Sequence, residues 1–215
     1  MNEKCKITVG GVLTEGFNIG VKNLASIFVA SILWLVTIWI PYLNVGTTIA
    51  MLTIPIELSK GKIISPTFIF DGKYRQYMGE YFTLIGLMCL SIIPALCFMI
   101  IPGIVIAIGW SLAIYILLDK GVAPGEALIR SNQATYGYKW TIFGISFVLS
   151  ILYYILQFIV GAIVGDNATL YILFFIIIIS LYNVVSLGCN AVIYRNLTEE
   201  VIEGTFTEEN TPTEQ

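Results

Sequence analysis

Six long blocks of apolar residues dominate the chain, apolar on every face and separated by short polar or turn-forming stretches. They run from Leu24 to Ile40, Tyr42 to Leu58, Glu80 to Ile100, Pro102 to Leu118, Trp140 to Val164 and Ala168 to Tyr194. A membrane-crossing helix needs about 20 mostly apolar residues, so these blocks predict six transmembrane helices. Hydrocarbon offers backbone groups no partner, and a block without alternation cannot be a barrel strand, so each block is expected to be helical. Pro41-Tyr42, Pro102-Gly103 and Gly165-Asp166-Asn167 read as tight turns, whereas Ser59 to Gly79 and Asp119 to Lys139 are longer polar links. The expected fold is therefore an all-α membrane protein of three hairpins joined by amphipathic interfacial helices. Residues 1–195 form one six-helix domain and 196–215 an acidic, disordered tail.

Two of the polar segments have helical spacing. Val12, Leu13, Gly16, Phe17, Gly20 and Leu24 share a face, with Glu15, Asn18 and Lys22 elsewhere, the pattern of a helix lying at the headgroup level. Pro124 and Glu126 open another, with Ala127, Leu128, Ala134 and Tyr138 expected to face lipid and Glu126 and Arg130 in register for an i,i+4 ion pair. Gly20, Gly79 and Gly137 recur at near-constant spacing, each before an apolar block, which suggests a unit of interfacial segment plus hairpin used three times.

Composition agrees with the pattern. The chain has 215 residues, 57% hydrophobic and 12% charged, with a mean hydropathy of +0.87; soluble domains carry about 25% charged residues. The net charge of -3 is local, because Glu199, Glu200, Glu203, Glu208, Glu209 and Glu214 crowd the last segment. All eleven basic residues fall before the first, third and fifth blocks or after the sixth, and none lies in the tight turns. By the positive-inside rule, both termini and both long links are expected in the cytoplasm.

Candidate chemistry is sparse. Histidine is absent, and Cys5, Cys89, Cys97 and Cys189 lack metal-ligand spacing and read as small buried hydrophobes. No catalytic motif is present and the basic residues do not cluster with aromatics, so neither an enzyme, a cofactor nor a nucleic-acid partner is expected. Gly103, Ala107 and Ser111 form a small-residue stripe suited to helix packing. Pro55 and Pro94 should bend their helices. Gln157 and Asn183, the largest polar side chains at mid-depth, are expected to glue helices together; the alternative is a polar cavity for a transported solute. Gly137, Lys139 and Trp140 are expected to form an elbow that fixes depth in the membrane, glycine allowing the turn, Trp140 at headgroup level and Lys139 reaching outward; Gly79 should repeat it.

The series Ile101-Pro-Gly-Ile104, Tyr115-Ile-Leu-Leu-Asp119, Glu126-Ala-Leu128, Ser131, Gly137-Tyr-Lys-Trp-Thr-Ile-Phe143 and Ala191-Val-Ile-Tyr-Arg-Asn-Leu197 resembles the DUF975 family of bacterial integral membrane proteins. Gly61 with Ile69-Phe-Asp-Gly72 is similar to that family's first cytoplasmic link, and Ile193 and Asn196 depart from its usual closing motif. A more distant likeness is to the membrane domain attached to some glycerophosphodiester phosphodiesterases. The resemblance implies a multi-pass protein of the bacterial cytoplasmic membrane with no assigned reaction. Together with the residues it suggests a non-enzymatic organiser of lipids or partner proteins, with a transporter of small solutes or lipids as the alternative. Membrane lipids, a membrane-protein partner or a second copy are the expected partners.

Overall fold

The computed structural model describes residues 7–165 and 167–209, with side chains through residue 198, and every regular element among them is helical. In chain order these are α1 (Val9–Lys22), α2 (Leu24–Thr37), α3 (Pro41–Leu52), α4 (Ile54–Ser59), two 3-10 turns (Pro66–Phe70 and Gly72–Tyr77), α5 (Met78–Phe98), α6 (Ile100–Gly109), α7 (Ala113–Lys120), α8 (Pro124–Ala134), α9 (Lys139–Val164) and α10 (Ala168–Glu209).

Four helical stretches are long and apolar enough to cross a membrane: Gly72–Phe98, Ile100–Lys120, Lys139–Val164 and Ala168–Thr198. A fifth is reached only by counting α1 and α2 as one span, although they meet at an angle of 73°. The two blocks expected as the first hairpin come out short. At 1.5 Å per residue, α2 with 14 residues is about 21 Å long and α3 with 12 is about 18 Å, against about 30 Å of hydrocarbon. Thr53 and Pro55 then separate α3 from α4, since proline cannot donate the hydrogen bond that would continue the helix. The second hairpin turns at Met99, whose backbone is extended, and not at Pro102-Gly103. Those two residues lie in the first turn of α6, where a proline lacks nothing the helix needs.

The interior sits at the basic end. Buried side chains come from α1, α4, the 3-10 turns, α7, α8 and the C-terminal half of α10, including Ile54, Leu58, Ile69, Leu117, Ala127 and Val192. The remote halves of α5, α9 and α10 expose Leu90, Phe98, Phe158 and Ile163, a surface that suits lipid.

Helix α1 does not lie with its apolar face towards lipid, as its periodicity suggests; it packs lengthwise and antiparallel along α10. Gly16 meets Cys189, and Gly20 meets Val184 and Gly188. The approach is close because a Cβ on Gly188 would lie 2.1 Å from the Gly16 carbonyl oxygen. Helix α8 likewise turns its small residues inward: Ala127, Leu128, Ser131 and Ala134 are all buried. In α8 the face read as lipid-facing builds the interior; in α1 its Val12, Gly16 and Gly20 do so, while Phe17 and Leu24 of the same face stay exposed. The expected Glu126–Arg130 pair is present at 2.5 Å.

Where the acid-rich composition predicts a disordered tail from residue 196, α10 continues as helix to Glu209. Adding a residue to an existing helix is cheap once it is nucleated. Side chains after Thr198 and residues 210–215 lie outside the described residues, as do Lys4, Cys5, Lys6 and Asp166.

Candidate functional site

At the basic end one acid gathers three elements. Asp119, whose side chain is 7% exposed at the end of α7, accepts hydrogen bonds from Lys60, just after α4, and from the Tyr194 hydroxyl of α10 at 2.8 Å. Lys120 stands 3.2 Å from its other oxygen. The Tyr194 ring meets Tyr115 edge-on at 6.0 Å. Beside it Arg195 of α10 pairs with Glu15 of α1 at 2.6 Å. In the 3-10 region the backbone N–H of Lys73 donates to Asp71 at 3.1 Å and holds that carboxyl below its ordinary value. These contacts clamp α1, α4, α7 and α10 together, and every carboxylate among them is matched by a cation. The arrangement fits a structural clamp better than a binding site.

A second cluster repairs a broken span. At Trp110, Ser111 and Leu112 the helical ladder gives way to turns between α6 and α7, which leaves the Leu112 N–H without a backbone partner. The Ser131 hydroxyl of α8 donates to the Gly109 carbonyl at 2.8 Å and accepts from the Leu112 N–H at 3.2 Å. The Thr135 hydroxyl approaches the same carbonyl at 3.2 Å. The inward side of α8 thus supplies the missing partners.

The elbow residues divide. Gly137 takes φ +85° in the turn between α8 and α9, a region that only glycine enters without strain, and Trp140 is 82% exposed. Lys139 does not reach outward: it donates to Asn132 Oδ1 at 2.9 Å and leans over Gly109. Gly79 lies in the first turn of α5, just after the 3-10 turn Gly72–Tyr77, and its helical backbone does not repeat the positive φ of Gly137. In the small-residue stripe, Gly103 is buried where a Cβ would meet Leu96 of α5 at 2.5 Å, so it packs the second hairpin internally. Ala107 is half-buried, and Ser111 sits in the unwound segment, donating to the Ile108 carbonyl.

The mid-depth amides do not glue helices. Asn183 donates to the Ile179 carbonyl of its own helix at 2.8 Å, and both polar atoms of Gln157 are buried without a partner. Ser150 and Ser180 also bond back to their own helices. Asn183 lines a cleft of about 340 Å³ with Ser150, Tyr153, Tyr154 and Tyr182. On the other side of the tilted pair Tyr153 and Tyr182, whose rings are 5.1 Å apart, lies a larger groove of about 450 Å³ between α1, α9 and α10. Its walls are Leu13, Phe17, Leu149, Leu152, Leu156 and Leu181, and Thr14 and Asn18 stand at its edge. Among the described residues no three His, Cys, Asp or Glu side chains cluster as a metal site would require.

The groove and the α1–α10 crossing are absent from the sequence expectations, although one signal for them exists. Gly16-Phe-Asn-Ile-Gly20 is a small-xxx-small motif of the kind that brings helices together. The pairing of Asp119 with Lys60 and Tyr194 has no local signal, since the partners are 59 and 75 residues away. Comparison of the chain with known protein families, curated proteins and solved structures finds no match.

Proposed function

We propose that this is a non-enzymatic protein of the bacterial cytoplasmic membrane that organises lipids, taking a lipid chain into the groove between α1, α9 and α10. The groove carries the proposal. It opens sideways among helices that expose apolar surface, its walls are almost entirely aliphatic and aromatic, and about 450 Å³ falls within the 300–1,000 Å³ usual for small-molecule sites. Filling it with Leu152→Trp and Leu181→Trp should lower the lipid retained after mild detergent extraction severalfold, measured by mass spectrometry, without lowering the melting temperature. Unchanged retention would overturn the lipid reading, and loss of a co-purifying protein instead would assign the groove to a membrane-protein partner.

The topology we propose has four crossings, by α5, α6–α7, α9 and α10, with both termini in the cytoplasm. Its support is that every basic residue then lies on one side, while α2 and α3 are too short to cross. In a cysteine-free background, an impermeant maleimide added outside should label Asn167→Cys but not Tyr42→Cys, Ser65→Cys or Gln133→Cys. Labelling at Tyr42→Cys would restore six crossings. Membership of the DUF975 family belongs to the same proposal, supported by the hydrogen bond from the motif residue Tyr194 to the motif residue Asp119 and by the edge-on contact of Tyr115 with the Tyr194 ring.

The cleft lined by Ser150, Tyr153, Tyr154, Tyr182 and Asn183 supports a second function, passage of an uncharged polar solute, because its walls offer hydroxyl and amide groups and no charge. Saturable flux in liposomes that is lost in Asn183→Leu would favour it.

A further inference from the structure

The α2–α3 hairpin is the part of the molecule that neither the lipid groove nor the four crossings use. No charged residue occurs between Asn23 and Ile56. Its polar groups are spent inside the hairpin: Trp34 donates to Thr48 at 2.9 Å, Thr48 to Asn44 at 2.8 Å, and the Thr37 and Thr47 hydroxyls meet at 2.8 Å. What remains outside is apolar, with Leu35 59%, Val36 66% and Trp39 88% exposed towards the tip. Such a surface belongs in lipid.

Its depth follows from its neighbours. The 3-10 turns that precede α5 lie along α3: Ile69 and Tyr74 are buried there, and the aliphatic stem of Arg75 covers Gly46, where a Cβ would meet Arg75 Cγ at 2.9 Å. Gly46 is only five residues from the start of α3 at Pro41. The middle of the hairpin therefore stands level with the entry of α5 into the membrane, beside Lys73 and Arg75, which cannot sit in hydrocarbon. Helix α1 runs along α10 and α2 leaves it at 73°; the first turn of α2 still rests against α10, where Leu24 and Phe28 line one groove with Ile177 and Leu181, and from there the hairpin runs across the crossing helices and not parallel to them.

Resting on the four-crossing topology above, we infer that the α2–α3 hairpin is a wedge embedded in the cytoplasmic leaflet alone, and that its partner is a lipid surface convex towards the cytoplasm. An inclusion in one leaflet adds area there and none opposite, a mismatch that outward curvature on the same side relieves. Binding of apolar faces at one membrane interface is curvature-sensitive for this reason. The hairpin differs from an amphipathic surface helix in being tethered, so it selects membrane shape for a protein already inserted.

The test uses the full chain, fluorescently labelled, in giant vesicles whose proteins face outward with the basic end, as verified by external labelling of Ser65→Cys. Narrow tubes pulled from these vesicles should be enriched in protein severalfold over the parent membrane. The variant Leu35→Ser/Val36→Ser/Trp39→Ser, which alters only exposed side chains, should lose the enrichment while keeping its melting temperature. Even distribution of the unmodified protein, with Tyr42→Cys still protected from the far side, would overturn the wedge and leave the topology standing. Equal enrichment of the variant would move the effect elsewhere in the protein. Labelling of Tyr42→Cys from the far side would remove the topology, and the wedge with it.

Discussion

Alanine at position 188 is expected to unseat α1 from α10. The added methyl would lie 2.1 Å from the Gly16 carbonyl oxygen and 3.1 Å from the Gly20 nitrogen, and both are backbone atoms held in a helix. A flexible side chain could yield by rotating; these atoms move only if the helix moves. Overpacking a well-packed interior costs about 1–3 kcal/mol, and the upper end applies where neither side can give. Once α1 shifts, Val12, Cys189 and Val192, all buried at the crossing, lose their cover. Thermal unfolding in detergent should show a clear loss for Gly188→Ala and a larger one for Gly188→Leu. Gly79→Ala is the control, since nothing stands within 4 Å of its new methyl; it should be neutral or gain about 0.5–1 kcal/mol from the removal of a helical glycine. Equal melting of Gly188→Ala and the parent protein would refute the crossing.

Removing the two hydroxyls of α8 should be comparably damaging. Ser131→Ala deprives the Leu112 N–H of its acceptor and takes away the 2.8 Å donor to the Gly109 carbonyl; Thr135→Val removes a hydroxyl whose one proton is shared between the Ser131 carbonyl at 2.9 Å and the Gly109 carbonyl at 3.2 Å. An unsatisfied buried group costs about 1–3 kcal/mol, more than the net worth of the bond it replaces. Ser131→Ala alone should lower the melting temperature, the double variant more so. Because the loss is local, amide hydrogen exchange at Leu112 should accelerate well before the whole protein unfolds, and unchanged exchange there would show that Ser131 does not hold the broken segment.

Much of the architecture was legible in the sequence where one short stretch decides it. Helix α9 begins at Lys139 and α10 at Ala168, each within a residue of its expected start, because lysine, glycine and asparagine mark those boundaries directly. The Glu126–Arg130 pair needs only helical spacing. Residues 24–40 and 42–58 come out as short helices for a physical reason: hydropathy measures whether a segment prefers lipid and does not record how long an unbroken helix it makes. The clues to a short hairpin were Thr53 and Pro55, which break what read as one continuous span, and Asn23, which sets the start of α2 directly after α1. The inward faces of α1 and α8 were hidden for a related reason, since apolar periodicity marks a buried face equally well whether lipid or protein covers it. The setting of Lys139 depends on Asn132 in another element, and Gln157 has both polar atoms buried without the inter-helix partner expected of it, a contact that no local pattern could decide.

The clasp of α1 on α10 also orders events during synthesis. Helix α1 leaves the ribosome long before its mate α10, so Gly16 and Val12 must wait while about 170 intervening residues are made and inserted. Contacts this distant in sequence form late, because the loop they close must be ordered first. Until then the nascent chain displays an apolar stripe with two bare glycines, a surface that invites holding by a chaperone or recognition by a membrane protease. A polypeptide stalled before Val184 could insert its first crossings and still keep that stripe uncovered. Arrival of Gly188 is what removes the mark, and the same glycines that permit close packing would separate finished molecules from abandoned ones.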